Sequence, residues 1–275
     1  MRFRLRPIKI STGKPVILLH EHSAKKMDIH TGDRVIIKTD KDNLVAIVDL
    51  VKGLIKKDEV ALSEELSESI KQTKGFIEVF PSEAAESSSI LQNQSNCREY
   101  SQEDLEKIMD DIVNNRLSEA EVAYFVSTMA HCKVSSKEII SLTNAIVKTG
   151  TRISWKYKIV ADKHSIGGIP GNRTTPIVVA ICAATGVIMP KTSSRAITSA
   201  AGTADTVESI APVNLTIEEL KRVVKKTGAC LAWGGSLGLA PADDKLIRVE
   251  KLLRVDPESQ LIASILAKKV SVGST

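Results

Sequence analysis

A chain of 275 residues, 43% hydrophobic and 26% charged, has room for two domains and the balance of a globular protein. Aromatic residues make up only 3% of it, so its cores rest on Ile, Val, Leu and Ala; this scarcity argues against single-stranded nucleic-acid binding, which needs aromatic stacking platforms. The net charge of +5 suits an anionic small molecule, and scattered Lys–Glu surface pairs would give the same balance.

No apolar run approaches the ~20 residues needed to span a bilayer, so neither a membrane nor a nucleic acid is expected as a partner. The four cysteines, Cys97, Cys132, Cys182 and Cys230, form no CxxC pair. Without a secretory pattern they are expected to be reduced, in a cytoplasmic protein. His20 and His22 flank Glu21, but no second ligand cluster accompanies them, and no metal site is expected.

In chain order, residues 2–80 read as a small β-rich domain. Its candidate strands are Phe3–Ile10, Val16–His20, Arg34–Lys38, Leu44–Val51 and Gly75–Phe80, separated by turns such as Thr31-Gly32-Asp33, with one helix near Glu59–Ile70. Residues 81–100 are rich in Ser, Glu, Gln and Asn and read as a linker with a short helix. Three amphipathic helices follow. Each opens on a capping-box pattern, Ser101/Asp104, Ser118/Glu121 and Ser135/Glu138, and carries apolar residues at helical spacing, such as Leu105, Ile108, Met109 and Ile112; Gly150 stops the third.

From Ile153 the pattern changes. Lys158–Ala161 reads as a buried strand, followed by a glycine-rich loop and a helix from Pro176 to Gly186; Val187–Lys191 reads as a second strand, followed by the polar loop Thr192–Thr203. Strand–loop–helix alternation predicts a parallel sheet whose loops gather at one edge, where ligands of such sheets sit. One more helix is capped by Thr216 and Glu219 and ends at Gly228. The expected division is a β-rich domain over 1–84, a helical domain over 85–153 with 240–271 packing back onto it, and an α/β phosphate-binding domain over 154–239.

The loop Lys163-His164-Ser165-Ile166-Gly167-Gly168-Ile169-Pro170-Gly171-Asn172-Arg173-Thr174-Thr175-Pro176 places an ammonium, hydroxyls and glycine N–H groups ahead of a helix. Small residues let the backbone approach an oxyanion, and a helix N-terminus favours it. The spacing is neither a Walker motif nor GxGxxG, and a tight βα turn alone would also use glycine. The second loop, Lys191 to Asp205, adds hydroxyls and Arg195, whose planar guanidinium suits bidentate phosphate contacts. Two such loops in one crevice point to two phosphates, or to a phosphate and a sugar.

The pair KHSIGGIPGNRTTP and PKTSSRAITSAAGTADTVE resembles the thymidine phosphorylase superfamily and, within it, the archaeal AMP phosphorylases. The nucleoside enzymes have a GD-type continuation and an SGRGLGHTGGT-type loop where this chain has Asn172-Arg173-Thr174-Thr175 and Ser193–Thr198. The likeness runs from Arg2 to Thr275. It implies an N-terminal barrel resembling the double-psi type, a helical bundle and part of a parallel-sheet α/β domain, in a homodimer. It also implies a chain continuing past Thr275, and hence an incomplete sheet with an open edge and exposed apolar surface.

The activity implied is phosphorolysis of AMP, with CMP and UMP as further substrates, to the free base and ribose 1,5-bisphosphate. Phosphate is the co-substrate and no cofactor is implied. The demand is positioning and electrostatics: phosphate is held under C1′ while charge separates between sugar and base. By motif match Lys163, Ser165, Ser193 and Thr203 would hold the attacking phosphate. Gly168, Ser194, Arg195, Ala196, Ile197, Thr198, Thr203 and Ser264 would bind the nucleotide, with Arg195 on its 5′-phosphate. Asp256 would give the leaving base its proton. Asp256 before Pro257 also fits a helix N-cap, and as an acid it needs dry surroundings. His164 is a second candidate to face the base, or a loop-packing histidine. Lys268 matches a base-contacting lysine of the pyrimidine enzymes, or is a surface charge on an apolar helix.

Overall fold

The computed structural model describes residues 1–39, 43–71, 74–94, 97–164, 173–195 and 201–275, which fall into two compact units. In the first, strands β1 (Arg2–Leu5), β2 (Val16–His20), β3 (Arg34–Lys38), β4 (Asn43–Val51), β5 (Glu59–Leu62) and β6 (Phe76–Pro81) close into a barrel in the order β1-β5-β2-β4-β3-β6. The β1–β5 and β2–β4 pairs are parallel and the rest antiparallel. Alternation explains the closure: Val35 and Ile37 of β3 and Ile77 and Val79 of β6 point inward with Ile17 and Leu19 of β2. Val16 and Leu18, on the other face of β2, are buried by Ile55 and Ala61, which is why β2 reads as a continuous apolar run.

Three expectations are corrected here. The first strand ends at Leu5 instead of Ile10. The segment Glu59–Ile70 is not one helix: Val60-Ala61-Leu62 is buried as a strand, and helix α2 (Glu64–Ile70) begins only after Ser63, whose hydroxyl accepts the Leu66 N–H at 3.3 Å. A short helix, α1 (Glu21–Lys26), follows β2, capped by His20 Nδ1 accepting the His22 N–H at 3.1 Å.

In the second unit, residues 87–113 and 118–275, helices α3 (Glu86–Gln92), α4 (Gln102–Val113), α5 (Glu119–His131) and α6 (Ser136–Thr149) precede α7 (Thr174–Ala184), β7 (Met189–Ser193), α8 (Thr203–Glu208), α9 (Ile217–Thr227) and β8 (Ala229–Trp233). A 3₁₀ turn, Gly234–Leu237, leads to α10 (Pro241–Leu253) and α11 (Glu258–Val272). Helix α11 lies on α6, and α10 on α4 and α5, burying Leu105, Ile108, Met109, Phe125 and Leu142 completely. The Ser101/Asp104 and Ser118/Glu121 boxes form reciprocally. Ser135 caps α6, but the Glu138 carboxylate turns away to accept the Tyr100 N–H at 3.0 Å.

The expectation of four reduced cysteines is corrected for two of them. Cys97, before α4, is disulfide-bonded to Cys132 at the end of α5, with Cα atoms 5.4 Å apart; nothing in a spacing of 35 residues signals this pairing. No helix of the described residues is long and apolar enough to cross a membrane. Gly150 serves as more than a helix stop: a Cβ there would overlap the backbone carbonyl of Leu239. Gly150→Ala should therefore lower the unfolding free energy by about 1–3 kcal/mol through overpacking, and an unchanged urea midpoint would refute that close approach.

Candidate anion and nucleotide site

Strands β7 and β8 pair in parallel from Met189↔Ala229 to Ser193↔Trp233. The expected strand Lys158–Ala161 shrinks to one parallel bridge, Val160↔Ile188. The other side of Val160 is taken by Thr275, whose N–H donates to the Val160 carbonyl at 3.0 Å and whose Oγ1 accepts the Val160 N–H at 3.1 Å. Even so, the chain leaves Val160, Ser193 and Trp233 at the same edge. Exposed apolar side chains, Ile159 at 67%, Ile177 at 62% and Ile181 at 58%, flank this small sheet, in keeping with an incomplete α/β layer.

The centre of that edge is Asp162. Its carboxylate, 1% exposed, accepts the Lys163 N–H at 2.7 Å and the Lys269 ammonium of α11 at 2.6 Å, and pairs with Lys191 of β7 at 3.8 Å. Lys191 also donates to the Thr192 carbonyl. The Lys163 ammonium donates to Thr175 Oγ1 at 2.9 Å, at the start of α7. Two ammonium groups, of Lys191 and Lys269, thus meet one carboxylate, and that of Lys163 stands near both of them, an excess of positive charge that suits an anion. Burial, opposed by Asp162 and reinforced by Lys269 and Lys163, pushes Lys191 down to about 7. Desolvation and Lys269 also lower Lys163. His164 faces solvent on one side, yet loss of water around its ring, with Lys269, Lys191, Lys268 and Lys163 nearby, pulls the imidazole down to about 4, so it is neutral at pH 7.

Of the expected phosphate ligands, Lys163 stands in this cluster, and Ser193 and Thr203 line one recess with Ala204, Val207, Val213, Leu231 and Ala232. Arg195 is committed elsewhere. Its guanidinium bonds Glu208 at 2.6 and 2.8 Å and Asp205 at 3.0 Å, and lies 4.8 Å from the ring centre of Trp233; these carboxylates raise its pKa further. The Ser194 carbonyl accepts the Ala204 N–H at 3.4 Å. Ser165, Gly168, Ala196, Ile197 and Thr198 lie outside the described residues.

On the other face of α11, Ser264 and Lys268, one helical turn apart, converge on Asp243 of α10. Ser264 Oγ donates to Asp243 Oδ2 at 2.9 Å, and the Lys268 ammonium lies 2.5 Å from the same oxygen. Lys268 is therefore no simple surface charge; its side chain is 19% exposed. Asp256 is exposed, in the turn between Arg254, which ends α10 with φ 56°, and α11. Pro257, not Asp256, occupies the N-cap, correcting the cap reading. The dry surroundings an acid requires belong instead to Glu250, whose carboxyl is pushed up to about 7 by burial and by Asp243 and Asp256. Asp162, Lys191, Lys269, Asp243 and Glu250 were not among the residues singled out from the sequence; Lys268-Lys269 inside the apolar run of α11 was the available signal.

Residues 157–255 match the family described as Glycosyl transferase family, a/b domain. Along its whole length the chain is 40% identical to AMP phosphorylase 1 of Archaeoglobus fulgidus, of which it covers 55%. Over 98% of its length it is 42% identical to a putative thymidine phosphorylase of Hahella chejuensis, again covering 55%. Anthranilate phosphoribosyltransferase from Thermus thermophilus shares the fold over 68% of this chain and 55% of its own, with a TM-score of 0.55 at 16% identity. The chain spans about half the length of the curated relatives it matches. With its closed barrel, helical layer and partial α/β layer, the chain is similar along its whole length to AMP and thymidine phosphorylases.

Proposed function

We propose that this chain carries the phosphate-binding half of a nucleoside 5′-monophosphate phosphorylase, which cleaves AMP, and by extension CMP and UMP, with inorganic phosphate to free base and ribose 1,5-bisphosphate. The observation that carries the reading is the pairing of Lys191 and Lys269 with Asp162 at the loop edge of the β7–β8 pair, with the Lys163 ammonium nearby on Thr175. A dianion brought there meets fixed positive charge in a desolvated setting, where charge acts strongly. Phosphate held by Lys163 would attack C1′ as the base departs. Asp256 would protonate the base, with Glu250 beside it holding a proton near neutral pH.

One observation favours nucleosides as substrates instead. Arg195, the candidate for the 5′-phosphate, is already neutralised by Glu208 and Asp205. Chromatography of mixtures of the protein, phosphate and either AMP or uridine separates the readings. Phosphate-dependent release of adenine from AMP supports the first, and cleavage of uridine alone supports the second. Binding of AMP without turnover would leave a nucleotide-binding adaptor. Lys163→Met should weaken phosphate binding, followed by titration calorimetry, by about 10-fold or more, since a bond to a charged group is worth roughly 1.5–3 kcal/mol. Full turnover by Asp256→Asn would end its role as donor.

A further inference from the structure

The bond between Cys97 and Cys132 joins the entry of α4 to the end of α5. Cys97 is exposed and Cys132 half-buried, so the Cys97 sulfur stands where a dissolved thiolate can approach it. The Cys97 backbone is left-handed, with φ 51°, a conformation that a residue other than glycine keeps only where its surroundings hold it. Much of that hold does not depend on sulfur. The Ser135 hydroxyl donates to Glu99 Oε1 at 2.8 Å, and the Tyr100 N–H donates to Glu138 Oε1 at 3.0 Å. The Tyr100 ring, buried, lies 5.6 Å from that of Phe125. Residues 97–101 therefore form a strap with three further ties, to Phe125 of α5 and to Ser135 and Glu138 at the start of α6.

We propose that Cys97–Cys132 is a reversible thiol–disulfide site, with a dithiol as its co-reactant, which sets how firmly the strap holds the start of α4 while the helical layer stays folded. A thiolate of the dithiol attacks Cys97 Sγ; the Cys97–Cys132 bond breaks, and Cys132 leaves as a thiolate that takes up a proton. The second thiol of the reagent, once deprotonated, attacks the mixed disulfide and releases Cys97, which is protonated in turn. The protein gains two electrons and two protons, and the dithiol, losing the same, closes to a disulfide. The ties of Glu99 and Tyr100 outlast the bond, so the two thiols stay within reach and the bond can re-form. Of the two free cysteines, Cys182 lies on α7 and Cys230 on β8. Burial pushes the Cys230 thiol up to about 11, away from the thiolate that exchange requires.

The test treats the folded full chain with excess dithiothreitol and no denaturant, then labels thiols with a maleimide and maps them by mass spectrometry. Cys97 and Cys132 should be unlabelled before reduction and both labelled after it, with an unchanged far-ultraviolet circular dichroism spectrum. The folding equilibrium constant, from urea unfolding, should fall by roughly 10²–10³-fold on reduction, the entropy of closing a loop across 35 residues. Exchange of the Tyr100 and Ser101 amide hydrogens should quicken by about 10-fold or more, while amides of α10 and α11 keep their rates. Replacing dithiothreitol with oxidised glutathione should restore the Cys97–Cys132 pair. The double variant Cys97→Ser with Cys132→Ser should match the reduced protein and ignore dithiothreitol; if it does not fold, reduction and reoxidation of the unaltered protein still decide. Labelling of both cysteines before reduction overturns the proposal. So does a bond that yields only in urea, a loss of helical signal on reduction, or reoxidation that pairs Cys97 or Cys132 with Cys182.

Discussion

Asp162→Asn is expected to lower the unfolding free energy by about 3–5 kcal/mol, the cost of removing one partner from a buried ion pair. The side chains of Asp162 and Lys191 are 1% and 4% exposed, and Lys269 17%, so an amide in place of the carboxylate leaves two cations with little water to take over. Lys191, the more buried, would relieve this by releasing its proton. Combining Asp162→Leu with Lys191→Met should recover much of the loss, because an apolar pair of similar volume carries no desolvation cost, while Lys269 can turn its ammonium to solvent. Urea unfolding followed by circular dichroism measures all three proteins. An Asp162→Asn variant within about 0.5 kcal/mol of the unaltered protein, the range of ordinary surface changes, would show that the cluster holds nothing in place.

Stability should also rise with pH from about 7 to 9. Lys191 is pushed down to about 7 and Lys245 to about 8, each mainly by burial. Lys245 spends its ammonium on the Ile112 and Val113 carbonyls at the end of α4, at 3.0 and 2.7 Å. A lysine in the unfolded chain keeps its proton to about 10.4. Between the two values the unfolded state binds more protons, so stability increases with pH, by about 2 kcal/mol for Lys191 over this window. The opposing groups act mainly at its two edges. Glu250, raised to about 7, costs stability as pH climbs through the acid range, where His164, lowered to about 4, returns it. Cys230, raised to about 11 by burial, opposes the trend only near pH 9 and above. Unfolding curves at pH 7, 8 and 9 should show the rise, and Lys191→Met should flatten it. A flat profile for the unaltered protein would mean that Lys191 is hydrated.

What was legible in the sequence follows from range. Ser118 with Glu121, Thr216 with Glu219 and the stop at Gly228 are contacts within a few residues, so pattern and capping chemistry reveal them directly. The strands Val16–His20 and Arg34–Lys38 were legible for the same reason, since alternation and turn residues are local. Glu59–Leu62 was not: helix and strand periods are ambiguous over a run of three apolar residues, and burial between β1 and β2 decided it. The two motif loops located Lys163, Ser193 and Thr203 at one edge, because parallel strands must release their loops on the same side.

By itself, then, the sequence determined most of the elements, the caps made within a few residues, the family likeness and the loop that begins at Lys163. Only the tertiary structure decided what the charges do. It bonded Cys97 to Cys132 across 35 residues, turned Arg195 onto Glu208, and drew Lys269 to Asp162 over a separation of 107. It also placed Lys268 on Asp243 and left Asp256 in solvent. The physical reason is that a charged side chain costs little in water and a great deal in a folded interior. Its role is therefore set by whichever opposite charge the fold brings within about 4 Å, and that distance is not written in the spacing of residues along the chain.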